Sequence, residues 1–234
     1  LINKEYLTKS HVILPWTSEI IFNYKIINHV KKILNSENIL CWSSTFFVKE
    51  PLKSQYVSWH QDMKYWGLRP ANIVTVSLSI TKSDISTGCL KVVSGTHTKK
   101  ILNHTKEFNR KNLLSQGQSI NKEHVEKNKI INFELNPGEC SFHHPNIIHG
   151  SGKNESDCFR VLFAIRYISA DVKQVSNQYN TATVVSGKNT NKYFINEPIP
   201  KKPMGRKELD FLKNININQL KGYIENNIKS MFIK

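Results

Sequence analysis

Apolar residues recur at three- and four-residue steps near the start of the chain and at two-residue steps afterwards. Ile20, Ile21, Tyr24, Ile27, Val30, Ile33 and Leu34 fall on one stripe, which predicts an amphipathic helix over residues 17–34. Thr17 or Ser18 is placed to cap it, Glu19 suits its first turn, and Lys31 and Lys32 suit its last. The period then changes. Ile39 to Lys49 is rich in aromatic and branched residues and reads as a strand ended by Glu50-Pro51. Val57 to Met63 reads as a second strand. Asn72 to Thr81 alternates, with Val74, Val76, Leu78 and Ile80 on one face and Thr75, Ser77 and Ser79 on the other. One apolar and one small-polar face suits a barrel with a wet pocket inside.

Further on, Cys89-Leu90 and Val92-Val93 form a short strand closed by the Ser94-Gly95 turn. Residues 99–129 are polar, charged and aperiodic, which predicts a lid-like insertion between strands. Asn136-Pro137-Gly138 is a turn, and Glu139 to His144, His149 to Ser151 and Phe159 to Ser169 supply closing strands. Residues 196–234 form a basic, Pro-containing appendage, helical around Leu209 to Met231. Many short strands with turns between them, behind a helical layer, predict an all-β core with flanking helices, a jelly roll rather than a parallel α/β fold. The pattern predicts one domain over residues 1–234, with its core at about 37–170.

Composition narrows the function classes. With 39% hydrophobic residues in 234, the chain can bury one sizeable core. No apolar run approaches the roughly 18 residues of a membrane span, so no membrane role is expected. Leu1-Ile2-Asn3-Lys4-Glu5 lacks the order of a leader, and the missing Met points to residues that precede Leu1. Cys41, Cys89, Cys140 and Cys158 are dispersed, which argues against structural zinc and for free thiols in a cytoplasmic setting. The net charge of +15 suggests an anionic partner, but Lys, Asn and Ile crowd the whole chain. Scattered lysines favour a compositional habit over a nucleic-acid surface.

The chemistry-bearing motif is His60-Gln61-Asp62. On a strand, residues two apart share a face, so an imidazole and a carboxylate would point together. A second histidine from elsewhere would complete the two-histidine, one-carboxylate set of non-haem Fe(II) oxygenases. His97, His104, His124, His143, His144 and His149 all lie downstream. Two arginines, Arg160 and Arg166, lie on the last strand, an even number apart, and a guanidinium fork matches a carboxylate.

Several stretches together carry a resemblance. They are Trp59-His60-Gln61-Asp62 with Tyr65-Trp66-Gly67-Leu68, Gly88-Cys89-Leu90 through Ser94-Gly95-Thr96-His97, and Leu114-Ser115-Gln116-Gly117-Gln118. Pro137-Gly138-Glu139 through His143-His144, His149-Gly150-Ser151, Arg160 and Ile165-Arg166-Tyr167 complete the set. Over about residues 12–170 the chain resembles the phytanoyl-CoA dioxygenase family of Fe(II)/2-oxoglutarate oxygenases. The resemblance implies a double-stranded β-helix, cupin-like, that uses Fe(II), 2-oxoglutarate and O2. It implies His60, Asp62 and His149 as iron ligands, His149 alone being followed by a Gly-Ser pair and an Arg at the family's offset. It implies Arg160, eleven residues past His149, on the distal carboxylate of 2-oxoglutarate, with Ser151 on the same carboxylate and Thr45 lining the cosubstrate pocket. Arg166 is left as a substrate or structural residue. Trp66, Thr75 and Ser77 are candidate substrate-pocket residues; many relatives have Trp where Ser77 stands.

Halogenases of the same superfamily replace the carboxylate ligand with Gly or Ala, so Asp62 implies hydroxylation. The expected activity is hydroxylation of an unactivated carbon in a small, anionic metabolite, with release of succinate and CO2. A nucleic-acid oxygenase or binder, and a catalytically silent metal-binding module, are the alternatives. Substrate identity and oligomeric state are not encoded in these motifs.

Overall fold

The computed structural model describes residues 8–106, 109–114, 117–175, 180–215 and 217. In chain order its main elements are α1 (Pro15–Ile21), α2 (Tyr24–Leu34), β1 (Ile39–Lys49), β2 (Val57–His60), α3 (Met63–Trp66) and β3 (Ile73–Ser79). There follow β4 (Leu90–Val93), β5 (Ile130–Phe133), β6 (Cys140–His143), β7 (His149–Ser151), β8 (Arg160–Ser169) and β9 (Thr181–Ser186). The core is all-β with flanking helices, and its antiparallel partners are distant in sequence, as in a double-stranded β-helix. The chain divides into two compact units, one of residues 1–45, 67–73 and 165–234, the other of residues 46–66 and 74–164.

The first unit carries α1 and α2. The single helix predicted over residues 17–34 is instead two. Pro15 opens α1, where its fixed φ and missing N–H cost nothing. Thr17 does not cap; its hydroxyl donates to the Leu14 carbonyl at 2.8 Å. The break falls at Phe22-Asn23, because the Asn23 side chain accepts from Lys25 N at 3.0 Å and from Ile26 N at 3.5 Å and so caps α2. Asn35 closes α2 in the left-handed region, with Lys31 and Lys32 in the last turn. Ile26, Ile27, Val30 and Leu34 are buried, whereas Tyr24 and Ile33 face solvent, so the predicted stripe is wider than the buried one. The start of β1 pairs antiparallel with β9, Leu40 opposite Val184 and Cys41 opposite Thr183. Strand β9 lies beyond the core range of 37–170 expected from sequence. Residues 206–215 are helical, and the remainder of the helix expected to Met231 lies outside the described residues, apart from Ile217.

In the second unit, β2, β7, β4 and β5 form a four-stranded antiparallel sheet. Strands β3 and β6 form a second ladder, Thr75 opposite His143 and Ser77 opposite Ser141. Val93, Ile120 and Ile148 pack together beneath Trp59 and Leu102. The described residues of the insertion over 99–129 form two-residue strands and single turns. Residues 115 and 116 of the Leu114–Gln118 motif lie outside the described residues.

Candidate metal and cosubstrate site

His60 ends β2 and His149 begins β7, directly opposite each other in the antiparallel register. Opposed residues share a face, so the two rings meet with centroids 4.1 Å apart. The strand does not continue through Asp62 as the motif predicts: β2 stops at His60, and Asp62 lies in the turn before α3. The turn, rather than strand alternation, brings the carboxylate back. Asp62 Oδ1 is 3.3 Å from His60 Nε2 and Oδ2 is 3.8 Å from His149 Nε2.

Each imidazole is aimed by its other nitrogen. His60 Nδ1 donates to the Ser58 carbonyl at 2.8 Å, and His149 Nδ1 to the Ile147 carbonyl at 3.0 Å. That tautomer leaves both Nε2 lone pairs for a metal. Burial, and then the neighbouring His60, lower the His149 pKa to about 3, which keeps the ring neutral as a ligand must be. Ligand atoms of His60, Asp62 and His149 all lie within 4.8 Å of one another. Among the described residues this is the only such group of three or more His, Cys, Asp or Glu side chains. Two neutral imidazoles and one carboxylate fit Fe(II) and leave coordination positions for other ligands.

The other histidines are placed elsewhere or around this set. His97 and His124 are exposed, and the His97 ring sits 5.9 Å from that of His144. His143 lies on β6 with its ring 5.1 Å from that of His149. Thr75 and Ser77 share its side of the β3–β6 ladder, because directly opposed residues point the same way. That small-polar face is therefore turned to the triad, and the Thr75 hydroxyl and Ser141 hydroxyl are buried there without a partner. Trp66 closes α3, four residues past Asp62, and is half-buried.

Gln61 was passed over in sequence as the spacer of the motif. Its backbone N–H donates to His104 Nε2 at 2.9 Å, its Oε1 accepts from Leu102 N at 2.8 Å, and its Nε2 donates to the Asn146 carbonyl at 2.7 Å. The spacer thus fastens the insertion to the turn that carries Asp62. Burial lowers the His104 pKa, in keeping with a ring that accepts a hydrogen bond.

Arg160 opens β8 and is almost wholly buried, at 2% exposure. Nη2 donates to the Gly88 carbonyl at 3.1 Å and Nη1 to the Phe47 carbonyl at 3.4 Å, while Nε has no acceptor. Ser151, two residues past His149 on β7, is buried and accepts from Lys49 Nζ at 2.7 Å. Lys49 is a residue the sequence reading missed, since it appeared only as the end of a strand. The remaining two candidates lie in the first unit, where Arg166 Nη1 donates to Thr45 Oγ1 at 3.1 Å.

Residues 5–162 match the family model described as phytanoyl-CoA dioxygenase (PhyH). A probable phytanoyl-CoA dioxygenase of Caenorhabditis elegans is 27% identical over 163 residues, 67% of this chain and 52% of that protein. A probable alpha-ketoglutarate-dependent hypophosphite dioxygenase of Stutzerimonas stutzeri is 24% identical over 165 residues, 69% of this chain and 56% of that one. Among solved structures, the non-heme monooxygenase ThoJ in its apo form superposes with a TM-score of 0.82 at 25% identity, covering 95% of this chain and 80% of that chain. The chain spans about half the length of the curated relatives it matches. No helix among the described residues is long and apolar enough to cross a membrane.

Proposed function

The chain belongs to the phytanoyl-CoA dioxygenase family, and on that premise we propose that it is an Fe(II)- and 2-oxoglutarate-dependent oxygenase. In this reading it hydroxylates an unactivated carbon of a small, anionic metabolite, and 2-oxoglutarate leaves as succinate and CO2. The observation that carries the proposal is the convergence of His60, Asp62 and His149, each imidazole oriented by a backbone carbonyl. When bound there, Fe(II) supplies dioxygen activation driven by oxidative decarboxylation of the 2-oxo acid.

The chain's own residues then have separable tasks. His60, Asp62 and His149 hold the metal, and the carbonyls of Ser58 and Ile147 fix which nitrogen faces it. Arg160 and Ser151 receive the distal carboxylate of the cosubstrate. Thr75, Ser77 and Trp66 border the substrate, and the partnerless Thr75 hydroxyl supports a polar group there. Asp62 occupies the coordination place that a halide would need, which favours hydroxylation over halogenation. The four cysteines are free, which supports a reducing, cytoplasmic compartment.

The test is an anaerobic titration of the Fe(II)-loaded protein with 2-oxoglutarate, followed by succinate release on admitting O2 with a panel of carboxylates, phosphonates and acyl thioesters. A visible charge-transfer band and substrate-dependent succinate are expected. His60→Ala should abolish both, and a His60→Ala protein that turns over 2-oxoglutarate at the original rate would refute the assignment.

A further inference from the structure

Lys49 is fully buried at the end of β1, in the second unit. Its Nζ donates to Ser151 Oγ at 2.7 Å, to the Gly88 carbonyl at 3.1 Å and to the Gly152 carbonyl. Arg160 Nη2 donates to that same Gly88 carbonyl at 3.1 Å. Two cationic side chains are therefore each one hydrogen bond from a single oxygen. Gly88 must be glycine for this: φ is +73°, and an added Cβ would sit 2.6 Å from the Lys153 carbonyl and 2.7 Å from that of Gly152.

Among the described residues neither cation forms an ion pair with an Asp or Glu. Nor does the neighbouring thiol compensate them, since burial raises the Cys89 pKa and keeps it protonated. Burial, followed by the Arg160 charge, lowers the Lys49 pKa to about 6. Buried cations without a counter-charge are costly, and a buried group of this kind is stabilised by an anion from outside. Arg160 Nε, in addition, has no hydrogen-bond acceptor.

The place of the deficit identifies the anion. Ser151 is two residues past His149 on β7, and side chains two apart share a face about 6.6 Å apart. Lys49 Nζ is bonded to Ser151 Oγ, on the face of β7 that also carries His149, and a five-carbon dicarboxylate has about the reach of that two-residue step.

We infer that Lys49 is a binding residue for the distal carboxylate of 2-oxoglutarate, sharing its two oxygens with Arg160 and Ser151. This rests on the oxygenase reading above. Arg160 brings a directional fork and Lys49 a point charge, so the pair reads charge and length together.

The experiment compares two ligands on the Fe(II)-loaded protein under anaerobic conditions, by calorimetry and by the charge-transfer band. One is 2-oxoglutarate; the other is 2-oxopentanoate, which has a methyl group in place of the distal carboxylate. The wild type should prefer the dicarboxylate. Lys49→Met should cut that preference about ten- to a hundredfold, the scale of one hydrogen bond to a charged group, while leaving 2-oxopentanoate affinity within about threefold. Lys49→Arg should recover part of the preference. A preference that survives in Lys49→Met, or equal weakening of both acids, overturns the role of Lys49 alone. A wild type that does not discriminate overturns the oxygenase reading itself. If circular dichroism shows Lys49→Met unfolded, Lys49→Gln carries the same comparison.

Discussion

Two buried clusters of charge in this protein follow opposite logics. In the first unit, the Glu197 carboxylate accepts from Lys9 Nζ at 2.5 Å, His11 Nε2 at 2.8 Å, Thr181 Oγ1 at 2.6 Å and Thr183 Oγ1 at 2.7 Å. Lys9 spends its other protons on the carbonyls of Trp42 and Thr181. The acid and its partners satisfy one another, and the network ties the start of the described chain to residue 197. In the second unit, Lys49 and Arg160 are equally buried but meet only carbonyls and a hydroxyl. A cluster that balances its own charge is architecture. A cluster of buried basic groups without a carboxylate, beside the His60, Asp62 and His149 set, is the one we propose as a receptor for an anion.

Removing the acid from the closed cluster should give the largest effect on stability. Glu197→Ala leaves Lys9 buried without a counter-charge and should cost about 3–5 kcal/mol in urea unfolding. It should leave the 2-oxoglutarate affinity of the remaining folded protein unchanged. Burial alone would raise the Glu197 carboxyl, but Lys9 and His11 outweigh it and hold the acid below the usual carboxylate range. The unfolded chain therefore takes up this proton first as pH falls. The contribution of Glu197 is complete above about pH 4.3 and is lost below it, and Glu197→Gln should flatten that acid limb.

The open cluster also predicts stability that rises with pH, but in the neutral-to-alkaline range rather than the acid one. Without 2-oxoglutarate, Lys49 releases its proton near pH 6 when folded but only near about 10.4 when unfolded. Between those values the unfolded state binds more protons, so unfolding free energy should rise with pH, by up to about 1.4 kcal/mol per unit. Lys49→Met should remove that rise, as read by urea midpoints from pH 6 to 10. A wild-type curve that stays flat and superimposes on the Lys49→Met curve would mean that Lys49 keeps its proton in the folded state.

The smallest effect belongs to the insertion. Glu126 pairs with Lys99 at 3.1 Å and Lys129 at 2.6 Å, all on exposed side chains. Solvent and salt screen such pairs, so Glu126→Gln should leave the melting temperature unchanged. A measurable fall would show that the insertion is fastened by charge as well as by Gln61.

Much of this was legible in the chain because it is local. Two-residue alternation located β3, since a strand with one packed face must alternate, while aromatic and branched residues marked β1 and a dense apolar run marked β8. The motif His60-Gln61-Asp62 named two candidate ligands, while Arg160 and Arg166 stood as rival guanidiniums on one strand that only the family resemblance separated. The break at Asn23 was not legible, because an apolar stripe ran across it and a competing side-chain cap settled the boundary. Strand β9 was hidden as well: Thr181 to Ser186 alternates weakly and is a strand through its pairing with β1.

Residue chemistry and short spacings thus point to an all-β core with helices around it, an imidazole and a carboxylate two residues apart, and two strand guanidiniums as candidates for a carboxylate. Which groups are left electrically unbalanced is a different kind of fact. Lys9 and Lys49 are both lysines near strand residues, and nothing in their neighbourhoods along the chain separates them. Folding sets Lys9 against Glu197, 188 residues away, and Lys49 against Ser151, 102 residues away. Charge compensation acts through space over a few ångströms, so which lysine meets a carboxylate and which meets only neutral acceptors depends on long-range packing.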